Sequence, residues 1–136
     1  MATDARIHKW GRNFWKSREV FKHADGLWIL EFISSLNHWE SGVVVFQDGR
    51  ILGGGASYWY NGNYKTENGL IRGVMQVTRF DPNAISIFGD FTAFSLNISL
   101  KITGNSLNGF ASLVRNPDVR MAVQGIKKVD IERYKI

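Results

Sequence analysis

The 136-residue sequence contains no cysteine and only two prolines. Without cysteine the chain can have neither a disulfide nor a thiolate metal site, which fits a reducing compartment. No apolar run approaches the roughly 20 residues that span a bilayer as a helix, and the first residues lack the apolar core of a secretory signal. These absences predict a cytoplasmic protein with no transmembrane segment.

Positive charge is scarce in the middle of the chain and concentrated at its ends. Residues 1–25 and residues 115–136 each hold six basic and three acidic residues, whereas residues 26–114 hold five basic and six acidic ones. A nucleic-acid-binding domain usually carries its positive charge on the folded face. The uneven placement of the net charge of +5 therefore makes nucleic acid an unlikely partner.

Residue groups that perform enzyme chemistry are also sparse. The three histidines form no pair with metal-ligand spacing, and no serine lies in a Gly-x-Ser-x-Gly turn. Glu31 is the one carboxylate within an apolar stretch. If it were buried it could act as a general acid, but such a residue more often faces solvent or pairs with an arginine such as Arg72 or Arg79. We therefore predict no catalytic residue, no metal and no cofactor.

Turn signals and short apolar runs fill the chain from Gly26 onward. Asp48-Gly49 follows the apolar residues 43–46 and predicts a type I′ hairpin, because both central residues of that turn need φ > 0. Residues 50–60 are then predicted as one strand, bent or bulged at the glycine triplet 53–55. The triplet does not predict a phosphate-binding loop, since no helix follows it. Asn61-Gly62-Asn63 is a second candidate turn.

The clearest periodic signal covers residues 94–103, in which every even position is apolar and every odd position is polar or charged. This period of two is typical of a strand with one buried and one solvated face. Similar runs recur between turn signals about ten residues apart and predict about eight strands. We therefore predict an all-β fold, an antiparallel up-and-down β-barrel formed by residues 26–136 as a single domain.

Residues 1–25 are predicted to be a basic N-terminal extension. Trp10, Phe14 and Phe21 fall near one side of a helix, whereas Trp15 does not. Three alternatives stay open: an amphipathic helix that touches a membrane surface or a partner, a short helix whose aromatic side chains dock on the barrel, and a tail without regular structure.

Several segments of the predicted barrel resemble known sequences. Gly26-Leu27-Trp28 is similar to the glycine-x-tryptophan opening of lipocalins, and a longer set of segments is more specific. These segments are GLWILEF at 26–32, SGVVVF at 41–46, DGRI with the paired glycines at 48–54, and YNGNY at 60–64. Together they resemble the GrlR-like family, whose namesake is a negative regulator of type III secretion in enteric pathogens. The resemblance covers about residues 26–128.

The resemblance implies a lipocalin- or avidin-like barrel that forms a homodimer and binds a protein partner, such as a transcriptional activator, without catalysis. The namesake sequesters its activator through an acidic surface loop. The corresponding residues here, 65–68, are expected to form a loop with a single carboxylate, Glu67, and Gly55 stands where an aspartate commonly follows the paired glycines. The resemblance therefore implies the fold but leaves the identity of the partner open.

Aromatic residues in the predicted strands supply two candidate sites. Successive strand residues point to opposite faces, so Tyr58 and Tyr60 share one face and Trp59 lies on the other. We predict a dimer or partner contact at Trp59, Tyr64, Lys65 and Glu67. The opposite face either forms a filled core or, in the alternative function, lines a cavity of a few hundred Å³ that carries a small apolar ligand. The predicted lining residues are Trp28, Phe32, Tyr58, Tyr60, Phe94, Leu96 and Ile98.

Overall fold

The computed structural model describes residues 24–35, 39–84 and 91–131. These residues form a closed barrel in which each strand pairs antiparallel with the next and the last strand pairs with the first. The eight strands are β1 (Gly26–Ser34), β2 (Trp39–Gln47), β3 (Arg50–Gly54), β4 (Tyr58–Glu67), β5 (Leu70–Arg79), β6 (Ala93–Thr103), β7 (Ser106–Leu113) and β8 (Arg120–Asp130). The predicted all-β, up-and-down barrel is confirmed.

The two ends of this barrel differ in how the strands are connected. At one end, here called the turn end, β2–β3, β4–β5 and β6–β7 are joined by two residues each. Asp48 and Gly49 have φ of 50° and 83° there, so the predicted hairpin is confirmed. At the other end, the loop end, the connections are longer and the one between β5 and β6 spans residues 80–92.

The glycine triplet turns the chain instead of bending one strand, so the prediction of a single strand over residues 50–60 is wrong. β3 ends at Gly54, and the Gly55 amide donates a hydrogen bond to the Tyr58 carbonyl over 2.9 Å. Gly53 lies so close to β2 that a Cβ would collide with the carbonyl oxygen of Val43. The triplet is therefore explained by close strand packing followed by a tight turn.

The second candidate turn and the predicted loop at residues 65–68 are also wrong, because β4 continues through both to Glu67. Gly62 lies inside the strand, where a Cβ would collide with the carbonyl oxygen of Val74 on β5. The turn follows instead at Asn68 and Gly69, whose φ angles of 51° and 81° are both positive.

The alternating pattern of residues 94–103 is confirmed as β6, and the same alternation fills the barrel from every strand. Phe94, Leu96, Ile98 and Leu100 point inward and are buried. The intervening positions of β6 face outward and are half-buried or exposed. The inward side chains form one continuous core, so the barrel is stabilised mainly by burial of this apolar surface.

The N-terminal extension is left as a prediction. Residues 1–23 lie outside the described residues, and with them lie the helical alternatives based on Trp10, Phe14 and Phe21. Ala24 and Asp25 are described, and both are fully buried at the turn end. Asp25 therefore belongs structurally to the barrel, although the sequence pattern assigned it to the extension.

Candidate functional site

The residues predicted to line a ligand cavity all point into the barrel. Each of these seven side chains is at most 9% exposed. They do not form one group: Trp28 belongs to a cluster at the turn end, whereas Phe32, Tyr58, Tyr60 and Phe94 lie at the loop end. The interior therefore contains two separate aromatic clusters with aliphatic residues between them.

At the turn end the aromatic cluster is closed and its polar groups are bonded. The Trp28 and Phe46 rings meet edge-to-face with centroids 6.1 Å apart, and Phe46 meets Tyr64 at 5.2 Å. The Trp28 indole donates a hydrogen bond to the Ala24 carbonyl at 2.8 Å. These contacts hold Ala24, just before β1, against the turn end of the barrel.

The carboxylate of Asp25 completes this end. Its Oδ1 accepts hydrogen bonds from the Tyr64 hydroxyl at 3.3 Å and from the Asp48 amide at 3.2 Å. Burial, followed by the charge of Asp25, raises the pKa of Tyr64 well above its ordinary value. Asp25, just before β1, is therefore hydrogen-bonded both to the β2–β3 hairpin and to β4.

The loop end has a second carboxylate and a second tyrosine. Glu40 occupies an inward position at the start of β2, opposite Phe32 on β1. Phe32 in turn meets the Tyr60 ring edge-to-face at 6.0 Å. Burial raises the pKa of Glu40, and burial followed by the charge of Glu40 and then Tyr58 raises the pKa of Tyr60 to about 12.

The space inside this end is small. The cavity bounded by Phe32, Glu40, Tyr58, Tyr60, Phe94 and their neighbours has a volume of about 20 Å³. That is the room of one water molecule, far below the few hundred Å³ that the carrier hypothesis predicts. The observed packing therefore gives the carrier alternative no support.

The outer wall of the barrel carries an exposed apolar row across five neighbouring strands. Ile126, Ile29, Val43, Gly54 and Trp59 are successive cross-strand neighbours on β8, β1, β2, β3 and β4. Their side chains, glycine apart, are between 39% and 56% exposed. We call this row, together with Leu52 and Val129 beside it, the outer apolar face.

The residues predicted to bind a partner do not all share this wall. Trp59 is 46% exposed, and Lys65 and Glu67 are exposed further along the outer side of β4. Tyr64 points the other way and is only 4% exposed, because it alternates with its neighbours and packs on Phe46. Its side chain is therefore not on the surface that Trp59, Lys65 and Glu67 occupy.

Glu31, the candidate general acid, lies on the outer wall. Its carboxylate accepts a hydrogen bond from the side-chain amide of Gln124 at 3.0 Å. It is neither buried nor paired with Arg72 or Arg79. Among the residues that the structure describes, no group of three or more acidic, histidine or cysteine side chains could hold a metal ion. Within the same part of the chain, no helix is long and apolar enough to cross a bilayer.

Two functional candidates were missed from the sequence. Glu40 was not placed in any predicted strand, and Asp25 was predicted to end the extension. The available signal for Glu40 was the alternation of Glu40, Gly42, Val44 and Phe46, which continues the inward side of β2 toward the loop end.

An outer groove of about 480 Å³ was also not predicted. It lies beside β1 and β8, is lined in part by Ile29, Glu31 and Ile126, and had no signal in the sequence. Residues of β1, β7 and β8 line this groove, so it depends on the pairing of strands that are distant in the sequence.

The fold can now be compared with known proteins. A family model described as GrlR, a negative regulator of the type III secretion system (T3SS), matches residues 23–126. The chain belongs to the GrlR family. No curated protein matches this GrlR-family chain closely enough to count as a relative. The matched range starts just before Ala24 and ends within β8, so it covers the whole circuit of strands.

Proposed function

We propose that this chain is a non-enzymatic regulator of type III secretion that acts in the cytoplasm by binding a protein. Membership of the GrlR family is the observation that carries the proposal. The small barrel cavity and the outward placement of Glu31 supply no support for a carrier or a general acid. The proposed mode of action is sequestration of a partner, such as a transcriptional activator.

The outer apolar face is proposed as the surface on which two copies of the chain meet. Contiguous exposed apolar patches on soluble proteins mark interaction sites, and this one contains Trp59, a residue type enriched at interfaces. The cross-strand row from Ile126 to Trp59 contains no charged residue. Because each copy carries a net charge of +5, an uncharged face is where two copies meet with the least repulsion.

Lys65 and Glu67 are proposed to contact the protein partner. Both are exposed at the turn-end half of β4, on the same outer side of that strand as Trp59. Lys65 and its cross-strand neighbour Arg72 are positive and Glu67 is negative, so recognition here rests on the placement of individual charges. An acidic patch of the kind implied for the namesake is absent at this position, where Glu67 is the only carboxylate among residues 65–68.

The dimer is tested by sedimentation equilibrium of the full chain between about 1 and 100 μM, a range that resolves micromolar association. The wild-type chain is expected to be a dimer and Trp59→Glu a monomer. Val74→Glu is the matched control, since Val74 is 48% exposed on β5 but lies between Asn63 and Asn97. A wild-type monomer at the highest concentration, or equal loss of the dimer in both variants, would contradict the assignment.

The regulatory role is tested in cells with a T3SS promoter reporter. Expression of the wild-type chain is expected to lower reporter output, and Lys65→Glu combined with Glu67→Lys is expected to weaken that effect. Asp118→Lys combined with Arg120→Glu is a control that changes the same number of exposed charges at the loop end, away from Lys65 and Glu67. Unchanged reporter output with the wild-type chain present at normal levels would refute the role.

A further inference from the structure

The loop end of the barrel has the features of a small cation site. We propose that it binds one primary ammonium group carried on an alkyl stem, whether as a lysine side chain or as a free alkylamine. The inference does not depend on the regulatory role or on dimerisation. It rests on the size of the space at this end, on Glu40 and on the ring of Tyr60.

The first step is the size of the space. The cavity at the loop end has a volume of about 20 Å³ and is not fully enclosed by the residues that line it. About 10–15 Å³ is enough for one water molecule, and an ammonium group is of similar size. The space therefore admits a single small polar head group, while its stem would extend outward through the opening.

The second step is the charge at the site. Glu40 points inward, is half-buried, and makes no hydrogen bond or ion pair with any residue of 24–35, 39–84 or 91–131. A half-buried carboxylate without a partner is unfavourable and gains from a cation that pairs with it. Arg79 is the cation on β5 at the same end, and it donates instead to the Ala84 carbonyl at 2.7 Å.

The third step is the wall around the carboxylate. Tyr60 is only 6% exposed, and its hydroxyl has no hydrogen-bond partner within the described part of the chain. The hydroxyl lies over Gly42, where a Cβ would be only 2.7 Å away from it. Gly42 thus leaves room for a hydroxyl that can accept a hydrogen bond beside Glu40.

The fourth step is the class of ligand that this wall selects. Phe32, Tyr58 and Phe94 surround the space with aromatic rings, and the thioethers of Met75 and Met121 complete it. Ring faces attract cations, and thioether sulfur is soft and polarisable. Glu40 repels an anion, and a neutral alcohol leaves the carboxylate without a counter-charge. A trimethylated ammonium is too large for about 20 Å³.

The test is a titration of the full chain with n-butylammonium chloride, followed by two-dimensional NMR of the loop-end residues. A ligand of this size is expected to bind with a Kd of about 1 mM. 1-Butanol, which has the same number of heavy atoms, and tetramethylammonium are expected to bind at least tenfold more weakly. Equal shifts with 1-butanol would overturn the proposal, as would no shift at all, which would mean that the space holds water only.

Three variants locate the site. Glu40→Gln is expected to weaken butylammonium binding at least tenfold, because the charge is lost while the shape is kept. Tyr60→Phe is expected to weaken it a few-fold through the lost hydroxyl. Glu31→Gln is the matched control on the outer wall and is expected to bind like the wild-type chain. Unchanged affinity in Glu40→Gln, with circular dichroism showing a folded barrel, would refute the site.

A last pair of probes distinguishes the two sources of the ammonium group. Nα-acetyl-lysine N-methylamide is compared with the same compound acetylated at Nζ. Binding of the first compound at or below the concentration needed for butylammonium assigns the site to a lysine side chain. Binding of butylammonium alone assigns it to a free alkylamine. Equal binding of both lysine compounds would contradict recognition of the charge.

Discussion

Each end of the barrel contains a carboxylate and a tyrosine, and the two are hydrogen-bonded to each other at the turn end but not at the loop end. At the turn end, the carboxylate of Asp25 accepts a hydrogen bond from Tyr64 at 3.3 Å and another from the Asp48 amide. At the loop end, Glu40 and Tyr60 lie near each other, and neither bonds to any residue that the structure describes. The comparison indicates that the surroundings of a carboxylate, and not its residue type, decide whether it is held by hydrogen bonds within the fold.

The lengths of the connections between strands explain why the two ends differ. Two-residue hairpins at the turn end leave few conformations for the chain, and Asp25 is held between one hairpin and β1. The longer connections join the strands at the end that holds Glu40 and Tyr60. Rigid ends favour closed packing, whereas longer loops on a rigid scaffold are where binding sites are usually found.

The largest predicted effect on stability comes from replacing a buried aromatic side chain with alanine. Trp28→Ala should lower the free energy of unfolding by about 3–5 kcal/mol, because a fully buried ring and its hydrogen bond to Ala24 are lost. Phe94→Ala at the loop end should cost less, about 2–3 kcal/mol, since its ring lies at the rim and is 9% exposed. Urea denaturation followed by circular dichroism measures both. A larger loss for Phe94→Ala would reverse the proposed ranking of the two ends.

The next effect is expected at Asp25. Asp25→Asn should lower the free energy of unfolding by about 1–3 kcal/mol, because the hydrogen bonds from Tyr64 and Asp48 are charge-assisted only with the carboxylate. Tyr64→Phe removes one of these bonds and should cost about 1 kcal/mol. The measurement is urea denaturation at pH 7. An Asp25→Asn chain as stable as the wild type would show that the carboxylate is not structural.

A smaller effect is expected at high pH. The pKa of Tyr60 is about 12 in the fold against an ordinary value of 10.0, so the native state holds this proton more tightly than the unfolded chain. The stabilisation is complete below pH 10 and is lost as pH rises toward 12; by pH 11 about 1 kcal/mol is gone. Tyr64 changes in the same direction.

Denaturation at pH 8 and at pH 11 tests this alkaline loss. Tyr60→Phe should lose less stability than the wild-type chain between these two values, because phenylalanine has no proton to release. Trp59→Phe, on the outer side of the same strand, serves as the control and should follow the wild type. Identical pH dependence in all three chains would contradict burial as the cause of the raised pKa.

The smallest effect is expected at Glu40 and has the opposite sign to that at Asp25. The raised pKa of Glu40 means that the fold favours its protonated form, so this contribution is present below the ordinary pKa and is lost as pH rises through the folded one. At pH 7 Glu40→Gln should therefore raise the free energy of unfolding only slightly, because solvent screens the charge of a half-exposed group. Thermal denaturation measures the change in melting temperature. Glu31→Gln is the control and is expected to melt at the wild-type temperature. A clear loss of stability in Glu40→Gln would show that Glu40 has a structural partner.

Much of the barrel was predictable because its signals are local. The alternation of β6 and the Asp48-Gly49 turn both act within a few residues, and both were confirmed. Two of the wrong predictions concerned glycines. Gly62 was expected in a turn and lies inside β4, because the neighbouring strand approaches too closely for a side chain. A sequence shows a glycine but does not show which of its two uses applies.

The candidate sites were predicted less completely. Tyr58 and Tyr60 were placed inward and Trp59 outward, as the burial pattern confirms. Glu40 and Asp25 were not recognised, since each was assigned to a segment outside the strands. Their roles depend on residues distant in the chain, such as Tyr60 for Glu40 and Tyr64 for Asp25. No local pattern encodes such a pair.

Local sequence signals were enough to predict an antiparallel barrel, because period-two alternation and hairpin turns are properties of neighbouring residues. The tertiary structure alone decided which polar side chains find partners. Closure of β8 on β1 and the register of each pair bring distant residues together at two ends. That long-range geometry gives Asp25 two hydrogen bonds through Oδ1 and gives Glu40 none among the described residues.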